Sequence, residues 1–176
     1  MQPSERLKNW KLHDSIRGWF GRALYEEMAR NDRVWILTAD LGYGLLDAHK
    51  EDFPERFVNF GASEQLMLGA AVGLALDEQI PFCYSITTFL VYRPMEWIRN
   101  YVNHERIPVR LVGSGLDKDY AHDGITHQPS QNELSILFKG LFKNIDMYVP
   151  EDKTEVPSMV EKMTMRNQPS FICLRR

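Results

Sequence analysis

The sequence predicts an α/β fold, a three-layer sandwich in which helices cover both faces of a mainly parallel six-stranded sheet. Six short runs rich in β-branched and aromatic residues alternate with helical stretches, the pattern that parallel βαβ units produce. The runs are almost continuously apolar, as strands buried on both faces must be. The chain of 176 residues is 44% hydrophobic and 26% charged, which suits a single packed domain.

Residues 1–13 are polar and aperiodic, and read as a surface arm or docking segment with no stable helix of its own, ahead of a domain over 14–176. After Ser15, the apolar residues Ile16, Trp19, Phe20, Ala23, Leu24, Met28 and Ala29 recur at steps of three and four. They form one face of a helix that stops near Asn31 and Asp32. Strands are expected at VWILT (34–38), FVNF (57–60), PFCYSI (81–86), IPVRLVG (107–113), DMYV (146–149) and SFICL (170–174). Helices are expected from Ser63 to Leu76, Arg93 to Asn103, Ser130 to Phe142 and Thr154 to Met165. Ligands of such sheets collect beyond the carboxyl ends of the strands, which singles out residues 39–44, 61–65, 87–92 and 113–128.

Composition narrows the function. Lys and Arg total 21 against 24 Asp and Glu, a net charge of −3, which lacks the basic excess that phosphate backbones demand of a partner. The longest apolar stretch, Leu68 to Leu76, falls far short of the ~20 residues that span a bilayer, and MQPSERLKNW has no signal-peptide core. The expectation is a cytoplasmic protein with no nucleic-acid or membrane partner. Cys83 and Cys173 lie apart in apolar runs and read as buried strand thiols.

Three segments could carry chemistry. In GASEQLMLGAAVGLAL (61–76), Ser63 can cap a helix whose first turn holds Glu64. The rest of that helix is small and apolar, as though packed on every side. Glu64 is then a charge at the mouth of a dry pocket and needs a specific partner there. In TTFLVYRPMEWIRN (87–100), Phe89 and Tyr92 can form a stacking face for a flat heterocycle, or can pack in the core. HDGITHQ (122–128) places two imidazoles, a carboxylate and an amide about a glycine turn, in a loop long for a βα connection. His122 and His127 have no nearby Cys or second carboxylate for a metal. Proton transfer or hydrogen bonding to a hydroxylated substrate suits them better.

Together these stretches resemble the pyrimidine-binding domain of transketolase and its thiamine-diphosphate-dependent relatives. TADLG (38–42), NFGASEQLMLGAAVGLAL (59–76), TTFLVY (87–92) and DGITHQ (123–128) occur in the family's order, from about Arg17 to Arg175. The resemblance implies that Glu64 hydrogen-bonds the ring nitrogen of the cofactor's aminopyrimidine. That contact favours the tautomer able to take the proton from the thiazolium carbon. By the same resemblance Phe89, with Tyr92 in support, is the aromatic wall on the pyrimidine, and Asp40 is the strand-end acid near the cofactor. Asp123 and His127 contact the hydroxyls of a ketose donor, and Arg17 and Arg175 grip a sugar phosphate. Two positions depart from the family pattern: Gly44 replaces a phosphate-contacting serine and Gly115 a histidine.

The sequence also lacks the GDG-containing motif with which the family holds its metal ion, and it ends where the family's third domain would begin. A second polypeptide is therefore expected to supply the diphosphate-binding domain with its Mg2+ or Ca2+, most simply in a heterotetramer. The function expected is that of the small subunit of a split transketolase-like enzyme moving a two-carbon ketol unit from a sugar or sugar phosphate. The alternatives are a subunit of a thiamine-diphosphate-dependent 2-oxo acid decarboxylase or synthase, or a non-catalytic regulatory module.

Overall fold

The computed structural model describes residues 3–176; residues 1 and 2 of the expected arm lie outside it. The chain runs α1 (Pro3–Lys8), α2 (Ile16–Arg30), β1 (Val34–Thr38), α3 (Asp47–Asp52), β2 (Phe57–Asn59), α4 (Glu64–Leu76), β3 (Ile80–Ile86) and α5 (Thr87–Tyr92). It continues through α6 (Met95–Trp97), which runs on as a π-helix (Ile98–His104), to β4 (Arg110–Ser114). Next come α7 (Gln131–Ile136), likewise extended by a π-helix (Leu137–Leu141), β5 (Asp146–Tyr148), α8 (Val156–Met165) and β6 (Ser170–Leu174). The six strands form one sheet in the order β2-β1-β3-β4-β6-β5, and every neighbouring pair is parallel.

Register explains the layers. Val58, Leu37, Cys83, Leu111, Phe171 and Met147 align across the sheet, and their side chains enter the core beneath α4, α5 and α7. Because side chains alternate along a strand, the rows on either side of this one face the other way. Ile36, Phe82, Val112 and Ile172 pack there against Phe20, Leu24 and Met28 of α2 and Val156, Val160 and Met163 of α8. Both cysteines are free and buried, and burial pushes both thiols up. Among the described residues no helix is long and apolar enough to cross a membrane.

The structure corrects the sequence reading in four places. The arm carries a helix of its own, α1, because docking compensates for its short length. Arg6 Nε donates to Asp52 Oδ2 at 2.7 Å and its Nη2 to Glu51 at 2.8 Å. Trp10 then covers Tyr25 at 5.0 Å between ring centroids. The arm closes so tightly on α2 that a Cβ at Gly18 would lie 2.0 Å from the His13 carbonyl oxygen. Second, the helix after β3 begins at Thr87, as α5, and not at Arg93. Ile86 ends β3 in extended geometry and the next residue is already helical, with the Thr87 hydroxyl donating to the Gly115 carbonyl at 2.7 Å. Third, β2 and β5 are edge strands and only partly buried, and β4 begins at Arg110, past Pro108, which has no N–H for the ladder. Fourth, α4 is not packed on every side: Leu66 and Leu76 are 63% and 68% exposed, with Gly73 exposed between them.

Candidate functional site

Where β3 ends, α4 begins and α5 follows, three side chains converge. Glu64 opens α4 and is 2% exposed. Ser63 precedes it but makes no side-chain capping bond, so the capping turn expected at this helix start is absent. The carboxylate instead accepts from Ser85 Oγ at 3.2 Å and from Arg93 Nη1, which reaches both Oε1 and Oε2 at 2.9 Å. This is the specific partner that a buried charge requires. Arg93 also sits over Phe89, its guanidinium carbon 3.7 Å from the ring centroid. The ring of His127 meets Phe89 edge-on, with centroids 4.7 Å apart and planes at 71°. Arg93 thus links Glu64 to Phe89, and His127 stands at the same ring.

The loop carrying His127 is fastened by hydroxyls. Thr88 donates to the Thr126 carbonyl, and Thr126 Oγ1 lies 2.9 Å from His127 Nδ1. Asp123 sits on the exposed side of this loop, within 3.1 Å of His122 Nε2. Tyr92 is engaged elsewhere, its hydroxyl donating to Glu133 of α7. Burial and that carboxylate both push its pKa up, so the hydroxyl stays protonated. Asp40 follows β1 with φ 50° and accepts from Tyr43 Oη at 2.6 Å, and the Asn59 side chain ties its backbone to that of Gly61.

Arg17 and Arg175 are held differently. Arg17 Nη1 donates to Tyr120 Oη at 2.9 Å, and its buried Nε has no hydrogen-bond partner. Tyr120 also meets Ser114 Oγ at 2.9 Å, and its ring lies 6.3 Å from that of His127. Arg175 faces two aspartates, Asp117 at 3.6 Å and Asp119 at 3.8 Å. The glycine at 115 now has a cause: a Cβ there would stand 2.4 Å from the Tyr120 ring, at φ 91°. Tyr120 fills the space above that turn. At Gly44 a Cβ would meet nothing within 4 Å, so there is open room beside that position. That room belongs to a cavity of about 720 Å³ whose wall includes Arg17, Tyr43, Gly44 and Tyr84 as well as Lys11 and His13 of the arm. Among the described residues no cluster of three or more His, Cys, Asp or Glu could hold a metal.

Arg93, Ser85 and Tyr120 escape the sequence reading. Ser85 leaves a faint signal as a hydroxyl inside an apolar strand. Arg93 and Tyr120 leave none: an arginine is ordinarily a solvated surface charge, and a tyrosine within a polar loop gives no sign that it is buried.

The family described as transketolase, pyrimidine binding domain, matches residues 15–176. A protein of Methanocaldococcus jannaschii named "Putative transketolase C-terminal section" is 28% identical over 166 residues, covering 94% of this chain and 52% of that protein. The 6-deoxy-6-sulfo-D-fructose transketolase subunit SqwH of Clostridium sp. (strain MSTE9) is 27% identical, covering 92% and 49%. A solved structure titled "Split gene transketolase, inactive beta4 tetramer" superposes with a TM-score of 0.77 at 29% identity, over 91% of this chain and 51% of that one. The chain spans about half the length of these relatives.

Proposed function

The chain belongs to the transketolase pyrimidine-binding domain family, and from that premise we propose that it forms the pyrimidine-binding half of a thiamine diphosphate site. A partner subunit carrying the diphosphate-binding domain and its Mg2+ or Ca2+ completes the site, and the complex transfers a two-carbon ketol unit from a ketose donor. One observation carries this reading: a carboxylate that is 2% exposed, at a strand-end helix start, shares a planar cation with an aromatic face. A seat that accepts a guanidinium in this way fits a flat, nitrogen-bearing, protonatable ring. Bound there, thiamine diphosphate supplies the nucleophilic carbon for making and breaking the carbon–carbon bond.

The chain's own residues have separable tasks. Glu64 holds a proton at a ring nitrogen, and Ser85 fixes the carboxylate that does so. Phe89 supplies the stacking wall, Asp40 is the strand-end acid near the cofactor, and Tyr92, bonded to Glu133, braces the helix that carries Phe89. His127, held against Phe89, moves or donates a proton at the donor's oxygens, and Asp123 orients its hydroxyls. Arg17, with Arg175, binds a phosphate or similar anion on the donor. Exposed apolar groups beside the site, Leu66 at 63% and Ile125 at 83%, support a covering partner.

The test is reconstitution with whatever chain co-purifies. Glu64→Gln should leave the complex assembled and lower turnover by roughly 10²–10⁴-fold, the range for loss of a placed acid–base group. Near-normal turnover in an assembled variant overturns the role of Glu64. A donor screen that finds 2-oxo acids used and ketoses refused overturns ketol transfer.

A further inference from the structure

We propose that Arg93 occupies the seat of the heterocycle and that a ligand of Glu64 and Phe89 enters by displacing it. This rests on the pyrimidine reading above and adds a specificity-determining residue to it. A guanidinium is a flat cation built on an N–C–N unit, and an aminopyrimidine presents the same unit along one edge. Arg93 makes the two contacts such a ring would need. One nitrogen reaches both Glu64 oxygens at 2.9 Å, and the guanidinium carbon stands over Phe89, 3.7 Å from the ring centroid.

The contacts are mutually exclusive. Arg93 Nη1 engages both Glu64 oxygens while its guanidinium stands over Phe89, so a ring that bonds that carboxylate and stacks on that phenyl has to use the ground that Arg93 covers. The two partners of the ion pair also differ in freedom. Arg93 is 45% exposed and can swing into water, whereas Glu64 is 2% exposed and cannot leave. Burying a carboxylate without a cation is costly, so an exchange in which one cation replaces another is the favourable route. Arg93 therefore keeps the seat formed while no ligand is present, and lowers the apparent affinity of any newcomer by the fraction of seats it fills. It also selects, because a flat ring that cannot offer a donor to Glu64 has nothing to put in its place.

Calorimetry on the full chain tests this with two probes, methylguanidinium and 4-amino-2-methylpyrimidine. Arg93→Ala should bind both, and should bind the pyrimidine about tenfold or more tightly than the wild type does. Glu64→Gln/Arg93→Ala, which removes the lone buried charge, should bind neither. If Arg93→Ala fails to fold, Arg93→Lys keeps a cation beside Glu64 without the flat fork and should still bind the pyrimidine more tightly than wild type. Pyrimidine binding that is equal or weaker in the Arg93 variants, with wild-type binding intact, overturns the displacement and leaves the pyrimidine reading standing. Methylguanidinium binding by Arg93→Ala, with no pyrimidine binding by any variant, supports an amidine-shaped seat and overturns the pyrimidine reading itself.

Discussion

Acid should destabilise this protein in two separate steps, and the first belongs to His49. This residue of α3 is 0% exposed, with Trp10 and Tyr25 meeting its ring edge-on at 6.2 and 5.5 Å. Neither ring nitrogen has a hydrogen-bond partner, and burial pushes its pKa from 6.5 down to about 4 against a weaker opposing pull from the backbones of Gly21 and Leu46. The unfolded chain takes up a proton at this residue below about 6.5, and the folded chain refuses it until about 4. Between those values the unfolded state binds more protons, so stability falls as pH falls, and below them this contribution is constant. The gap from 6.5 to about 4, at ~1.4 kcal/mol per pH unit, amounts to ~3 kcal/mol. Asp52 acts later. Arg6 holds its carboxyl well below the usual carboxylate range, so its contribution is present above the ordinary value of 3.8 and is lost as pH falls below it. Glu27 opposes both, since burial raises its pKa and favours the folded state in mild acid. Urea unfolding of the wild type and His49→Leu at several pH values from 7 to 4 isolates the first step. The difference between the two proteins cancels Glu27 and Asp52 and should shift in favour of the variant by ~3 kcal/mol across that range. A difference that stays constant with pH refutes the assignment.

Gly115→Ala places a methyl group against the Tyr120 ring at a positive φ, and chemical denaturation should show a loss of about 2–4 kcal/mol. Arg6→Ala removes the charge-assisted bonds to Asp52 and Glu51. It should cost about 1–3 kcal/mol and open the segment before Ser15 to limited proteolysis, which an unchanged digestion pattern would contradict. In the reconstituted enzyme, Arg17→Ala should penalise a phosphorylated ketose about tenfold more than the free sugar. Arg175→Ala should discriminate less, because Asp117 and Asp119 already compete for that guanidinium. Equal losses on both sugars with Arg17→Ala would assign that arginine to the fold.

Strand β6 is legible to the residue because SFICL is short, apolar and bounded by Pro169 and two arginines. The start of α5 is not. Two threonines after a strand give no helix signal, and the bonds that fix them go to Gly115 and Thr126, far away in sequence. The same division runs through the site. Glu64, Phe89 and His127 sit in ordered motifs that a linear reading can assemble. Arg93 and Tyr120 owe their places to contacts that exist only once the sheet has brought α4, α5 and the loop after β4 together.

The outer strip of α4, with Leu66 and Leu76 open to water on either side of Gly73, bears on how long a copy of this chain survives in a cell. A newly made copy that meets no cover for the strip shows chaperones and proteases the kind of surface by which they sort incomplete products. If a partner covers the strip, the abundance of this chain should rise with the supply of that partner. Expression in isolation should accordingly lower the soluble yield, and simultaneous synthesis of a covering chain should raise it.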